Sequence, residues 1–466
     1  MKRKLIKEVI EEGKVGDSVV VKGWVRSIRK SKEFGFLILN DGSCIKNLQI
    51  VFDTNISNFA EVKSLLTGSS VKVEGKLVES QGQNQSIELS SENIEIYGTA
   101  DSSYPLQKKS TSLEFLRENA HLRCRTNLFG AVFRIRHQLA MATHEFFHKR
   151  NYFYLNSPIL TGVDAEGAGE MFNVTTLPLY NLPKNEKNKV DYKQDYFEKE
   201  ASLCVTGQLE AECFAMGLGA VYTFGPTFRS ENSNTARHLA EFWMIEPEVA
   251  FADLEEIADV AADYVKHLIN SVLENCEDDL RFICSRQGSD STFEEHVNTL
   301  KHVSGSNFTK VTYTDAISIL NESSQTFEFK PDWGVDLQTE HERYLTENHF
   351  KGPVIVTDYP RDIKAFYMKQ NEDGKTVRAM DILVPGVGEL IGGSQREENL
   401  DKLSKRMKEL KMKKAPLWWY MDLRKYGTVP HSGFGLGFER AIMYITGISN
   451  IRDVIAFPRT PGNLDF

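Results

Sequence analysis

Residues 229–248 read RSENSNTARHLAEFWMIEPE. They set Arg229, Arg237 and His238 among Glu231, Glu241, Glu246 and Glu248, with Phe242 and Trp243 between. A surface loop has no use for Phe-Trp, and a core strand has none for so many charges. A strand, a polar loop and a returning strand satisfy both, and place Arg and Glu on a floor beneath a charged ligand. Two more segments add to that floor: MDILVPGVGELIGGSQRE at 380–397 brings Asp381, Glu389 and Arg396, and GFGLGFER at 433–440 brings Arg440. Guanidinium groups are planar, permanently charged and bidentate, which suits phosphates. Two carboxylates suit Mg²⁺ when phosphate oxygens and water complete its shell. Phe242 offers a ring to a purine. The set describes a nucleoside triphosphate lying on an antiparallel sheet; the competing reading is a group of surface salt bridges.

Other phosphate sites are not suggested. The chain has no GxxxxGK[ST] loop. The glycines of 433–440 have neither the spacing nor the strand–helix–acid context of a dinucleotide fingerprint. They are expected to form a turn leading into a helix, AIMYITG, that holds Arg440 at a pocket wall.

The elements that must position these groups are an α+β set. Residues 18–97 hold five stretches of β-formers punctuated by Gly, Asn and Asp, with a helical NFAEVKSLL between the third and fourth. They are expected to close as an OB-type five-stranded β-barrel, a fold that binds single-stranded nucleic acid on one face. Arg26, Phe36, Gln49 and Glu88 suit such a face, and a core position is the alternative for Phe36. Residues 99–125 read as a polar linker after a 1–98 barrel domain. A larger domain, 126–466, opens with the periodic helix TNLFGAVFRIRHQLAMATHEFFHKRN, followed by the strand NYFYLNSPIL, broken by Pro158. Strands are expected to resume at PVIVTDYP, KAFYMKQ and VRAMDILVP, forming a mainly antiparallel sheet flanked by helices. Residues 180–200 look like a charged insertion, and 252–350 like a mostly helical one.

At 466 residues, with 41% hydrophobic and 26% charged residues, the chain fits a globular protein of two or three domains. The six cysteines are scattered and form no CxxC pair, which argues against a zinc knuckle or a disulfide framework. No stretch reads as a signal peptide or a membrane span, so a cytoplasmic protein with no membrane partner is expected. The net charge is −9, yet residues 1–40 carry ten Lys/Arg against five Asp/Glu, a net of +5 that leaves room for a polyanion. Residues 253–279 carry nine acids and one lysine, read as the solvated face of a helix.

FRSENSNTARHLAEFWMIEPE resembles motif 2 of the class II aminoacyl-tRNA synthetases, and GFGLGFER resembles their motif 3. The helix and strand ending at Pro158 resemble motif 1, usually part of a dimer interface, which implies a homodimer. The barrel in front is similar to that of the subgroup charging aspartate, asparagine and lysine. The resemblance implies ATP and Mg²⁺, an aminoacyl-adenylate and transfer to tRNA. By motif, Arg229 would hold the α-phosphate and the substrate carboxylate. Arg237 and His238 would meet the β- and γ-phosphates. Phe242 would stack on adenine opposite Arg440, which also reaches the γ-phosphate. Asp381 and Glu389 would hold the metal, and Glu166, Gln208 and Glu246 would surround the substrate's α-amino group. In the barrel, Phe36 would stack on an anticodon base with Arg26, Gln49 and Glu88 beside it.

Within the subgroup, TGQLEAE at 206–212 places Ala211 where the aspartate enzymes resemble one another in carrying a lysine. Loss of that cation suits an amide side chain, so L-asparagine and tRNA(Asn) are the implied substrates. Arg396 would donate to the amide oxygen and Glu231 accept from its nitrogen. An aspartate enzyme and an ATP-dependent amide ligase on the same core are the rivals.

Overall fold

In a computed structural model, residues 2–82, 85–107, 111–165, 171–286, 292–412 and 414–466 are described. Strands β1 (Ser18–Lys30), β2 (Phe34–Asn40), β3 (Leu48–Asp53), β4 (Ser70–Glu79) and β5 (Ile87–Gly98) close into a barrel in the order β1-β2-β3-β5-β4. The alternation in β3 shows why: Leu48, Ile50 and Phe52 point inward, and Gln49 and Val51 do not. The expected helix between β3 and β4 is Phe59–Ser64. An amino-terminal helix, Ile6–Glu12, adds Ile6 and Val9 to the barrel core.

The chain divides into two compact units. One runs to Ile135 and includes Asp278–Arg286; the other takes Arg136–Glu277 and continues through Asp465. In the first unit the stretch read as a linker contains the helices Leu113–Glu118 and Ala120–Arg123, with Leu106, Leu116 and Phe129 in an apolar cluster. Lys46 pairs with Asp278 at 2.8 Å, and Arg134 grips Asp279 through Nη2 at 2.6 Å and Nε at 2.9 Å.

The second unit is built on an eight-stranded sheet. Its strands are β6 (Phe153–Leu155), β10 (Ala220–Phe228), β11 (Glu241–Ala250), β12 (Thr309–Thr312), β13 (Val354–Pro360), β14 (Thr376–Val384), β15 (Gly388–Gln395) and β16 (His431–Gly437). They lie in the order β12-β13-β14-β15-β16-β11-β10-β6. Only the two outermost pairs, β6 with β10 and β12 with β13, are parallel. Short strands β7 (Leu160–Thr161), β8 (Asn173–Val174) and β9 (Ala201–Leu203) make a separate small sheet. Pro158 therefore separates two strands of different sheets. The helix Leu254–Asn275 buries Ile257, Ala261, Tyr264 and Leu268 and leaves Glu255, Glu256, Asp259 and Asp263 exposed, as its acidic composition implied.

The described residues of 252–350 are mostly helical, as expected, and also contribute the edge strand β12. Two local expectations need correction. KAFYMKQ is not a strand; it makes only the isolated bridges Met368–Arg396 and Gln370–Val377. The glycines of 433–437 are not a turn but lie in β16, between β15 and β11, where bare backbone can pass over neighbouring side chains. The 180–200 segment is tied by hydrogen bonds: Asp195 accepts from Thr175 Oγ1 at 2.6 Å and Thr176 N at 2.9 Å, which hold its carboxyl below the usual range.

Candidate active site

β10 and β11 are a hairpin, with Phe228 opposite Glu241, and the loop between them returns over the sheet. A cavity of about 260 Å³ is lined by Arg229, Glu231, Arg237, His238, Phe242, Glu389 and Arg440. Every residue expected to bind nucleotide thus faces one space. The Arg229 guanidinium lies 5.4 Å from the centre of the Phe242 ring. Arg440 sits in the first turn of the helix Phe438–Thr446 that follows β16. Its Nη1 donates to the Glu389 carbonyl at 3.3 Å and lies 3.8 Å from the Glu389 carboxylate. Arg237 donates to Thr339 Oγ1 at 3.1 Å, and His238 Nδ1 bonds Thr235 Oγ1 at 2.5 Å. Past Arg237, Glu389 and Arg440 a wider space of about 750 Å³ continues.

Asp381 and Glu389 come from neighbouring strands β14 and β15. A Cβ built on Gly392 stands 3.4 Å from Asp381 Oδ1 and 3.4 Å from Glu389 Oε1, so the two carboxylates flank one point. Lys364 Nζ takes the other Asp381 oxygen, Oδ2, at 2.9 Å. Glu342, which the sequence did not single out, accepts from Glu389 N at 3.1 Å. Burial, Glu389 and Asp381 push its carboxyl up to about 7, and burial and Asp381 push Glu389 up as well. Hard oxygen donors crowded with negative charge fit a dication. Among the described residues no three His, Cys, Asp or Glu side chains form a complete metal site, so phosphate oxygens and water must finish the shell of any Mg²⁺ held here.

Three of the expected amino-acid residues, Gln208, Glu246 and Arg396, are buried and held by hydrogen bonds. Glu246 accepts from Thr206 Oγ1, from Gly207 N at 2.8 Å and from Thr223 Oγ1 at 3.1 Å. Gln208 Nε2 donates to Glu212 at 3.1 Å. Arg396 is buried and clamps Glu248 through Nη2 at 2.5 Å and Nε at 3.2 Å, while Nη1 donates to Ser394 Oγ at 2.7 Å. Glu212 also accepts from Arg424 Nη2 at 2.9 Å, Tyr420 OH at 2.9 Å and His431 Nε2 at 3.0 Å. Burial pushes the Glu212 carboxyl up, but Arg424, His431 and Arg396 outweigh it and hold the carboxyl low. Two glycines make room: a Cβ on Gly433 stands 2.2 Å from Glu248 Oε1, and one on Gly207 stands 2.4 Å from Ser157 Oγ.

Ala211 is fully buried in an apolar cluster with Ala215, Val221 and Leu155, and it is the next residue, Glu212, that reaches the charged network. One position along a helix is a turn of about 100°, which moves a side chain from one face to another. Glu231 lies exposed on the 260 Å³ cavity with Arg229 and is not grouped with Arg396. Glu166 lies outside the described residues.

On the barrel, Gly35 and Leu37 are buried and Phe36 between them faces outward, beside Phe34 in a T-shaped pair 5.5 Å apart. Gln49 donates to Glu88 at 2.8 Å, and Ser80 donates to the same oxygen at 3.1 Å. Arg26 is engaged by the chain itself: it donates to Asn127 Oδ1, and burial lowers its pKa.

Residues 112–461 match the family described as tRNA synthetases class II (D, K and N), and residues 19–97 match the OB-fold nucleic acid binding domain. The chain belongs to the class II tRNA synthetases of that group. Among its relatives, the asparagine--tRNA ligase of Clostridium tetani is 56% identical over 468 residues, covering 100% of both chains. The asparagine--tRNA ligase of Acetivibrio thermocellus is 57% identical over 469 residues, with the same coverage. The crystal structure of asparaginyl-tRNA synthetase from Pyrococcus horikoshii complexed with asparaginyl-adenylate has a TM-score of 0.86 at 33% identity, covering 100% of this chain and 99% of that one.

Proposed function

We propose that this chain attaches L-asparagine to tRNA(Asn) at the expense of ATP. The observation that carries the reading is the convergence of Arg229, Arg237, His238, Phe242 and Arg440 on one cavity above the sheet. The asparagine carboxylate attacks the α-phosphorus of ATP and expels pyrophosphate. A terminal ribose hydroxyl of tRNA then attacks the adenylate carbonyl and releases AMP. The protein positions and neutralises. Arg229 holds the α-phosphate and the carboxylate, Arg237 and His238 take the outer phosphates, and Phe242 and Arg440 sandwich adenine. Mg²⁺ held by Asp381 and Glu389 would neutralise charge on the phosphates. Glu246, with Gln208 nearby, receives the α-ammonium. On the barrel, Phe36, Gln49 and Glu88 meet the anticodon.

The charge balance favours the amide. Among the described residues of this network Arg396 and Arg424 each already pair with a carboxylate, Glu248 and Glu212, which suits an uncharged substrate side chain better than a second carboxylate. Two further parts of the reading are a homodimer and a cytoplasmic setting. Phe153 and Tyr154 on the edge strand β6 and Phe214 and Leu218 on the helix Gln208–Leu218 are exposed and apolar, which suits a second copy. Cys44, Cys124, Cys204 and Cys213 carry free thiols, and among the described residues no helix is long and apolar enough to cross a membrane.

The test is pyrophosphate exchange into ATP with purified protein and Mg²⁺, with asparagine and aspartate offered separately. Exchange with asparagine alone is expected. Exchange with aspartate would reject the charge-balance argument, and no exchange with either would reject the activity.

A further inference from the structure

The most basic stretch of the chain has an outer face that takes no part in the site above. Residues 400–426 hold nine Lys/Arg against three Asp/Glu, a net of +6 in a chain of net charge −9. Two of these cations point inward: Arg406 donates to the Arg361 carbonyl at 2.9 Å, and Arg424 holds Glu212. The helix Leu400–Glu409 buries Leu403 and Met407 in a cluster with Leu209, Phe366, Leu417 and Tyr420. Its Lys402, Lys405 and Lys408, three residues apart, lie on the opposite side. Lys411 follows the helix, and Lys414 stands just before the short helix Ala415–Leu417. All five are exposed, and among the described residues none has an ion-pair partner. Two rings stand in the same segment with nothing burying them: Trp418 is 66% exposed and Tyr426 is 77% exposed.

This face is the outer side of a wall whose inner side holds the amino-acid network. Tyr420 and Arg424, on the helix Trp418–Lys425, both bond Glu212. Unpaired cations beside exposed rings have the chemistry that binds single-stranded nucleic acid, neutralising phosphates and stacking on bases. We infer that the Lys402–Tyr426 face docks the single-stranded 3′ end of the tRNA and its adjoining phosphates, bringing the terminal ribose to the amino-acid end of the site. This rests on the reading of the chain as a tRNA-charging enzyme. Lysines of a merely solvated helix face would be indifferent to RNA.

The test combines charge reversal, K402E/K405E/K408E, with W418A and the conservative K402R/K405R/K408R. Three readouts apply: pyrophosphate exchange without tRNA, KM for tRNA in charging, and direct tRNA binding across a salt series. The reversal should leave exchange within about twofold while raising KM for tRNA at least about tenfold. It should also flatten the log–log salt slope of binding by about 2, at about 0.7 per lost phosphate contact. W418A should raise KM about fivefold or more, and the arginine variant should behave as wild type. Unchanged tRNA binding and salt slope in the reversal would overturn the inference. So would a loss of exchange equal to the loss of charging, since the lysines would then serve the amino-acid site. If wild type shows no exchange yet binds tRNA through these lysines, the proposed activity fails and the surface stands.

Discussion

Arg396 illustrates how a buried ion pair complicates a substrate contact. Most of its donors are committed to Glu248 and Ser394, so only its remaining N–H groups can reach a substrate. Arg396→Ala is therefore expected to do two things at once. It should abolish asparagine-dependent exchange, and it should cost about 3–5 kcal/mol of stability because Glu248 stays buried without its partner. Urea unfolding separates the effects: adding Glu248→Leu to Arg396→Met should recover most of the stability and none of the exchange. Full recovery of exchange would show that Arg396 serves only the fold. Glu342 offers a second case. Its carboxyl titrates at about 7, above the ordinary 4.5. A raised carboxyl stabilises the fold below the unfolded value, and that stability is lost as pH rises through the folded one. Between about pH 4.5 and 7 the wild type should thus lose stability, and Glu342→Gln should remove up to about 3 kcal/mol of that loss. Parallel stability–pH curves for the two proteins would contradict the assignment.

The barrel strands and the β10–β11 hairpin were legible in the sequence because period-two alternation and charge placement are local signals. The residues that line the smaller cavity were legible as a group for a related reason: most fall within one hairpin loop, and the rest follow short motifs. β16 was not legible as a strand because its three glycines are poor β-formers, although Phe434 and Leu436 alternate with them and are buried; side chains of the neighbouring strand, Glu248 against Gly433 and Met244 against Gly435, explain the glycines. Nor was the Glu212–Arg424–His431 network. His431 and Glu212 are 219 positions apart and come from separate elements, so no spacing could have joined them. The outward position of Phe36 on β2 leads to a test of that strand. Phe36→Ala should lower kcat/KM for tRNA about tenfold, matching a lost stacking contact of about 1–3 kcal/mol, while pyrophosphate exchange stays at the wild-type rate. A similar drop in both assays would make Phe36 a structural residue.

Assembly and synthesis concern the chain as a whole. If β6 meets a second copy, Phe153→Glu with Tyr154→Glu should halve the mass seen by sedimentation at micromolar concentration and suppress charging. An undiminished mass would place the contact elsewhere. The first compact unit, meanwhile, is not continuous in sequence. Lys46 and Arg134 find Asp278 and Asp279 only once the Glu277–Arg286 helix exists. On a ribosome the barrel strands emerge early, yet their unit stays unfinished while the sheet strands β6 through β11 are being made. A nascent chain arrested before residue 277 would carry the barrel with the Arg134 grip still empty. The two units cannot mature one after the other, and completion of the first waits on translation well into the second.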